Sequence, residues 1–172
     1  IPEISNGLVD LKAVAREAGS RSKVAVAANS DNVDPIGSCV GQRGSRIQTI
    51  INEVGGEKID IIEYSDDPSK FIANALAPAK IEQVNLNYEN KQATVIVDPE
   101  QLSLAIGRDG QNVRLAARLT GWHLDIISAA DKANETPIKE ASKTEKTKKT
   151  KAASEKKVKK QISKTTAKKT TK

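Results

Sequence analysis

The chain carries a short stretch, Val40-Gly41-Gln42-Arg43-Gly44, which returns as Ile106-Gly107-Arg108-Asp109-Gly110. Each copy follows an Asp-Pro pair and precedes an amphipathic stretch, a glycine and an apolar run of strand type. The copies lie 66 positions apart, which is the size of a minimal domain. This repeat predicts that residues 1–128 form two copies of one small fold in tandem.

The flanks of both copies predict the same secondary structure. Before each glycine pair, β-prone runs separated by a turn predict a hairpin, over residues 8–15 and 23–28 and again over 81–88 and 93–97. In the first of these strands we expect alternating residues to share one face: Val9, Leu11, Ala13 and Ala15. After each glycine pair, helical spacing predicts a helix with one buried stripe. The stripes are Ile47, Ile50, Ile51 and Val54, and Val113, Ala116, Ala117 and Thr120.

A further helix is predicted between the copies, over residues 68–77. Asp67 is a favourable N-cap, Pro68 suits the first helical position, and Phe71, Ile72 and Leu76 lie on one apolar face. Burial of that face would fix the copies relative to each other. The first copy lacks such a leading helix, and the predicted class is α+β, with helices packed on small three-stranded sheets. The predicted domains are 1–64, 65–128 and a tail, 129–172.

Charge is divided unevenly along the chain. The formal net charge is +6, but residues 129–172 hold 15 Lys and 5 acidic residues, whereas residues 1–128 hold 13 basic and 17 acidic ones. The tail has no aromatic residue and little apolar surface to bury, so we expect it to be disordered. It either aids solubility or attracts nucleic acid through counterion release, and we favour the second. Because Met is absent, we expect the chain to be a segment of a longer protein.

The repeated loops are the candidate site. One Gly-x-x-Gly is weak evidence, because glycines also form turns and helix caps, but two copies in matched surroundings are specific. Glycines let a phosphodiester backbone approach, and the next helix offers free amides to phosphate. This arrangement is typical of KH domains, which clamp about four nucleotides of single-stranded RNA. The expected RNA-binding residues are Gly41, Gln42, Arg43, Gly44, Ser45, Arg46, Gly107, Arg108, Asp109, Gly110, Gln111, Asn112 and Arg114.

The orientation of Asp109 and the role of four aliphatic residues near the loops each allow two interpretations. A carboxylate beside phosphate weakens binding, so Asp109 either points away or accepts hydrogen bonds from loop amides or a base edge. With only 2% aromatic residues, binding by stacking on exposed rings is disfavoured. Bases could instead lie against aliphatic side chains, but the same side chains could be ordinary core. They are Val40, Ile47, Ile106 and Val113.

Several longer stretches carry a closer resemblance: residues 32–37, 40–46, 56–62, 71–76, 101–112 and 114–122. They resemble the NusA family of bacterial transcription factors, over residues 1 to about 128. The resemblance implies two rigidly joined type II KH modules that bind one continuous stretch of nascent RNA. It also implies a role in pausing, termination and antitermination through RNA polymerase. The Lys-rich tail does not resemble the acidic repeats that some members carry.

The sequence gives little indication of an enzyme. Cys39 and His123 are single, so we expect no metal, no cofactor and no catalytic set, and no phosphate-binding loop ends in Gly-Lys-Ser/Thr. No apolar run could span a bilayer, and the first residues lack the basic and apolar regions of a signal peptide, so we expect a cytoplasmic location. The main alternative is a KH-fold protein-interaction module of the transcription or ribosome machinery that lacks specific RNA binding.

Overall fold

The computed structural model describes residues 1–132, which form two similar modules. The first contains α1 (Pro2–Ser5), β1 (Val9–Glu17), β2 (Arg21–Ala28), α2 (Pro35–Val40), α3 (Ser45–Glu53) and β3 (Lys58–Glu63). The second contains α4 (Pro68–Ala75), β4 (Ile81–Asn87), β5 (Gln92–Val97), α5 (Pro99–Ile106), α6 (Gln111–Thr120) and β6 (His123–Ser128), followed by α7 (Ala129–Lys132). The predicted α+β class is confirmed. The sequence predicts no leading helix in the first module, but the structure has a helix of four residues there, α1.

Each module has one three-stranded sheet. The orders are β1-β2-β3 and β4-β5-β6. In both sheets the hairpin strands are antiparallel and the last strand is parallel to the middle one. A parallel pair needs a crossover connection, and two helices joined by a Gly-x-x-Gly loop supply it. Each loop is therefore held between two helices that contact the sheet.

The single face predicted for β1 is wrong, because the strand contains a bulge. Leu11 and Ala13 are two residues apart but pair with consecutive residues of β2, so Lys12 is the extra residue. A bulge of this kind reverses the alternation of side chains beyond it. The two faces then serve different clusters: Val9, Val26 and Cys39 on one, and Ala15, Ala25 and Ile62 on the other.

Three helices begin with an Asp-Pro signal. Asp34, Asp67 and Asp98 each accept a hydrogen bond from the backbone N–H two residues further on, at 3.0, 3.0 and 2.9 Å. Proline fits the next position because its missing N–H would have no partner there. The predicted helix between the modules accordingly starts at Pro68, and it ends at Ala75, two residues early.

One hydrophobic core is shared by the two modules. It joins residues of the first sheet to α4, α5, α6 and the second sheet. Phe71, Ile72 and Leu76 are buried in it, as predicted, and the Phe71 ring meets Tyr64 edge to face at 5.0 Å between centroids. The linker segment therefore belongs to the core.

Helix α6 contacts both sheets, which changes its buried stripe. Its buried residues are Asn112, Leu115, Ala116 and Leu119. The predicted stripe of Val113, Ala116, Ala117 and Thr120 is wrong in register, because the helix has a second apolar neighbour. In α3, the predicted residues Ile47, Ile50 and Ile51 are half-buried, whereas Val54 is exposed.

A buried lysine crosses the joint between the modules. Lys23 is 0% exposed, yet its Nζ donates to the Ala77 carbonyl at 3.0 Å and lies 3.3 Å from Asp60 Oδ2. Asp60 Oδ2 also accepts a hydrogen bond from Arg21 Nε at 2.7 Å. Burial lowers the pKa of Lys23, and the nearby Asp60 carboxylate opposes that change. A buried cation needs such partners, and here they connect the first sheet to the second module.

In the described part of the chain, no helix combines the length and apolar character that a membrane span requires. Helix α7 (Ala129–Lys132) takes up the first four residues of the predicted tail. Residues 129–132 are therefore helical instead of disordered, whereas the predicted disorder of residues 133–172 lies outside the described range and stays a prediction. So do the predicted domain limits at 64 and 128.

Candidate nucleic-acid interface

The two Gly-x-x-Gly loops have nearly the same backbone conformation. Gly41 has φ 74° and ψ 174°, and Gly107 has φ 75° and ψ 172°. Each loop makes one 3-10 turn, in which the second middle residue is left-handed, with φ 51° at Arg43 and 52° at Asp109. Residues other than glycine seldom adopt this conformation. Its recurrence indicates one loop geometry built twice.

The two glycines of a loop meet different surroundings. A Cβ on Gly41 would lie 2.6 Å from Arg46 Cγ, and one on Gly107 would lie 2.7 Å from Asn112 Cβ. The second glycines, Gly44 and Gly110, have one neighbouring atom each, at 3.9 Å from such a Cβ. The first glycine is thus required by packing, and the second leaves open space for a ligand backbone.

A helix begins directly after each loop. Neither α3, which starts at Ser45, nor α6, which starts at Gln111, has a side-chain hydrogen bond at its N-cap. The first amides of a helix lack partners within it, and the helix dipole is positive at this end. Both loops therefore lead into a favourable place for an anion.

The two arginines at the first loop differ in their partners. Gln42, Arg43 and Ser45 are exposed. Arg46 instead turns to α1, where its Nη1 donates to the carboxylate oxygens of Glu3 at 2.8 and 2.9 Å and to the Ser38 carbonyl at 2.7 Å. The hydrogen bond from Arg46 lowers the pKa of Glu3. Arg43 is the residue of this loop best placed to meet a phosphate.

The second loop carries a pair of opposite charges. The Arg108 and Asp109 side chains are 95% and 86% exposed, and Arg108 Nε lies 3.6 Å from Asp109 Oδ2. An exposed pair of this kind contributes little to stability and leaves both groups accessible. The Asp109 carboxylate lies beside Arg108, which reduces the positive charge that this loop offers.

Gln111 and Arg114 contact the first module. Arg114 donates from Nε and Nη2 to the two carboxylate oxygens of Glu17, at 2.6 and 3.2 Å. Gln111 Nε2 donates to Glu17 Oε2 and to Ser20 Oγ, both at 2.7 Å. The hydrogen bonds from Arg114 and Gln111 lower the pKa of Glu17 to about 2. Glu17 is therefore ionised at neutral pH and holds the start of α6 against the end of β1.

Asn112 has a structural place. Its side chain is 1% exposed, and Nδ2 donates to the carbonyls of Leu76, Leu104 and Ala105 at 3.0, 3.3 and 3.0 Å. It joins α6 to α5 and to the end of α4 beneath the loop. The buried side chain presents no surface to RNA, so its contribution is to hold the loop in position.

Two polar depressions accompany the loops. One of about 490 Å³ lies beside the first loop, near Gln42 and Arg46. One of about 610 Å³ lies between the modules, lined by Glu17 and Lys58 on one side and by Arg108 on the other, among others. Of the neighbouring aliphatic residues, Ile106 is exposed, whereas Val40, Ile47 and Val113 are half-buried. This partial exposure is compatible both with contact to RNA bases and with a place in the core.

Sequence reasoning missed Glu3 and Glu17, which bind the arginines after the loops. Glu3 lies 43 residues from Arg46, and Glu17 lies 97 residues from Arg114. Local spacing carries no signal for such pairs, since the fold alone brings them together. Among residues 1–132, no group of three or more His, Cys, Asp or Glu residues is arranged to hold a metal ion.

Both modules match models of known protein families. Residues 1–64 match the NusA-like first KH domain, and residues 68–134 match the NusA-like second KH domain. The chain belongs to the NusA family. Its two modules are tandem KH domains, and the family resemblance seen in the sequence is confirmed.

Curated relatives carry the NusA name. The transcription termination/antitermination protein NusA of Halalkalibacterium halodurans is 59% identical over 131 residues, which are 76% of this chain and 34% of that protein. NusA of Bacillus subtilis is also 59% identical over 131 residues, covering 76% and 35%. NusA of Thermus thermophilus is 54% identical over 129 residues, covering 75% and 33%. The chain spans about a third of the length of these relatives.

A likeness to a solved structure is weaker. The crystal structure of APE1850 matches with a TM-score of 0.47 and 25% identity, over 61% of this chain and 78% of that chain. That score is too low to decide the fold.

Proposed function

We propose that the chain binds single-stranded RNA, with the RNA backbone against both Gly-x-x-Gly loops. The main support is the recurrence of one loop geometry, left-handed at Arg43 and Asp109, before an uncapped helix N terminus. Open space at Gly44 and Gly110 admits a backbone at close range. KH domains hold about four unpaired nucleotides in such a clamp.

The side chains of the loops have different roles in the proposed binding of RNA. Arg43 and Arg108 are exposed and supply charge to phosphates, and Gln42 and Ser45 supply hydrogen bonds. Asp109 reduces the affinity of the second loop for the backbone. Exposed Ile106 and the half-buried aliphatic residues near the loops offer apolar surface to bases.

The wider role follows the family. The relatives are named transcription termination/antitermination proteins, and this chain acts in the same process on nascent RNA in the cytoplasm. Contact with the RNA polymerase elongation complex is part of the proposal. The chain needs no cofactor or metal for this role and performs no catalysis.

Charge reversal at the loops tests the RNA proposal. Arg43→Asp and Arg108→Asp, alone and combined, place negative charge against the phosphates while leaving the core intact. Asp fits position 43 because Asp109 holds the same left-handed conformation. We expect weaker binding to single-stranded RNA in filter assays. The slope of log affinity against log salt should flatten by about 0.7 for each phosphate that is no longer bound.

The control reverses the same amount of charge elsewhere. Lys70→Asp and Lys80→Asp change exposed lysines on α4 and just before β4. These variants should keep most of the affinity. If loop and control variants lose affinity equally, the loops are not the site. If all variants bind single-stranded RNA, duplex RNA and DNA alike, the chain is an interaction module with a nonspecific electrostatic background.

A further inference from the structure

Glu17 occupies a position that also suits a phosphate. It ends β1 of the first module, and its carboxylate accepts hydrogen bonds from Arg114 and Gln111, both near the start of α6. Guanidinium groups bind carboxylate and phosphate through the same two-pronged geometry. The donors beside the second loop are thus already bound to an anion of the protein.

All three guanidinium nitrogens of Arg114 donate hydrogen bonds within the protein. Nε and Nη2 donate to Glu17, and Nη1 donates to the Asp109 carbonyl at 3.1 Å. The side chain of Arg114 is nevertheless 44% exposed, whereas that of Glu17 is 21% exposed. A phosphate arriving from solvent can therefore reach Arg114, but it must replace Glu17 to bind both prongs.

Glu17 also cancels the charge of the second loop. Arg108 and Arg114 are balanced by Asp109 and Glu17. At the first loop, Glu3 balances the charge of Arg46, and the charge of Arg43 remains. The second loop is therefore the less cationic of the two only while Glu17 stays in place.

The contact belongs to the joint as well as to the loop. Glu17 comes from the first module and Arg114 from the second, so the ion pair holds the modules together. Asp10, on the same strand, differs, because it accepts hydrogen bonds from Lys12 and Asn29 of its own module, at 3.0 and 2.8 Å. It offers a matched control for removing one carboxylate from β1.

We propose that Glu17 is an internal competitor for RNA at the second loop. It holds Arg114 and Gln111 in the free protein, lowers the affinity of this loop, and is displaced when a phosphate binds. The inference rests on the RNA binding proposed above. Because linkage is reciprocal, RNA at the second loop weakens this contact between the modules to the extent that the contact opposes RNA.

Binding of the full chain to a single-stranded RNA tests the competitor. The RNA has about 12 nucleotides, enough for two clamps of about four, and affinity is measured over a series of salt concentrations. Glu17→Gln should bind about tenfold tighter, the gain expected from one charge-assisted hydrogen bond. Its salt slope should steepen by about 0.7. Asp10→Asn should change both quantities far less.

A second pair of variants assigns the effect to Arg114. In an Arg114→Gln background, Glu17→Gln should give no further gain. Glu17→Asp keeps the charge but shortens the side chain, and it should change affinity in the same direction as Glu17→Gln, by less. If a folded Glu17→Gln variant binds RNA no more tightly than the unchanged protein, Glu17 does not compete with RNA. An equal gain in affinity from Asp10→Asn would contradict the proposal as well. If Arg43→Asp and Arg108→Asp still weaken binding in that case, the proposed function stands without it.

Discussion

At the scale of single residues, the glycines of the second loop can be separated by substitution. A Cβ on Gly107 would lie 2.9 Å from the Asn112 backbone nitrogen, whereas one on Gly110 would meet only Val113 Cγ1, at 3.9 Å. Both have positive φ, which costs an ordinary residue roughly 1–2 kcal/mol. Gly110→Ala should lower the free energy of unfolding by about that amount, and Gly107→Ala by clearly more. Urea titration measures both, and equal losses would contradict the packing role of Gly107.

Acid should destabilise the protein through two carboxylates with lowered pKa values. Buried Glu57 accepts hydrogen bonds from Arg16, Ser22 and the Gly19 amide, and Arg16 and Ser22 are the main cause of its pKa of about 2. Glu17 also has a pKa of about 2. Because the folded values lie below the usual 4.5, their stabilisation is complete above 4.5 and is lost as pH falls towards 2.

The melting temperature measured against pH checks this. It should fall between pH 4.5 and 2, the interval that the two pKa values define. In Glu57→Gln the fall should be shallower, since one of the two linked groups is gone. A variant with an unchanged acid profile would show that Glu57 does not contribute.

At the scale of elements, α4 is the helix whose packing is easiest to test. Phe71 is buried in the shared core and meets Tyr64 edge to face. Phe71→Ala should lower the free energy of unfolding by roughly 3 to 5 kcal/mol. Thermal or urea unfolding measures the change. Lys70→Asp, at the neighbouring exposed position, is the control. A negligible change for Phe71→Ala would mean that the linker helix is not packed.

Elements set by local chemistry were predictable from the sequence. Asp67 and Pro68 fixed the start of α4, and the two glycine pairs fixed both loops, because caps and positive φ act within a few residues. The face of β1 was not predictable. An alternating pattern assumes an unbroken strand, and the extra residue Lys12 appears only once the register with β2 is known.

The candidate site was predictable to the same extent. Exposed Gln42, Arg43 and Arg108 were recognisable from the loops themselves. The burial of Asn112 and the pairing of Arg114 were not, because α6 contacts the first sheet as well as its own. Those side chains are decided by residues far away in sequence.

At the scale of the whole molecule, the charge division predicts separate effects for the fold and the tail. Residues 1–132 lie in one compact unit, and residues 129–172 hold 15 Lys. Removal of residues 135–172 should leave the melting temperature nearly unchanged. It should weaken binding to all single-stranded RNAs by a similar factor and flatten the salt slope by about 0.7 for each phosphate that the tail had neutralised.

Preference among RNA sequences should survive this truncation, because phosphate contacts carry no sequence information and we expect base contacts near the loops. Comparison of two or more RNA sequences on the full and truncated chains measures this. A truncated chain that unfolds, or that loses its preference while keeping its salt slope, would show that the tail is part of recognition.

Because one core joins the two modules that carry the loops, a strand bound at the first loop meets the second at a high effective concentration set by fixed geometry. Two weak sites then act with avidity, provided that one strand reaches both. A strand too short to do so gains nothing from the second loop. Affinity should therefore rise in a step as RNA is lengthened, and the protein would select for the length of unpaired RNA as well as for its bases.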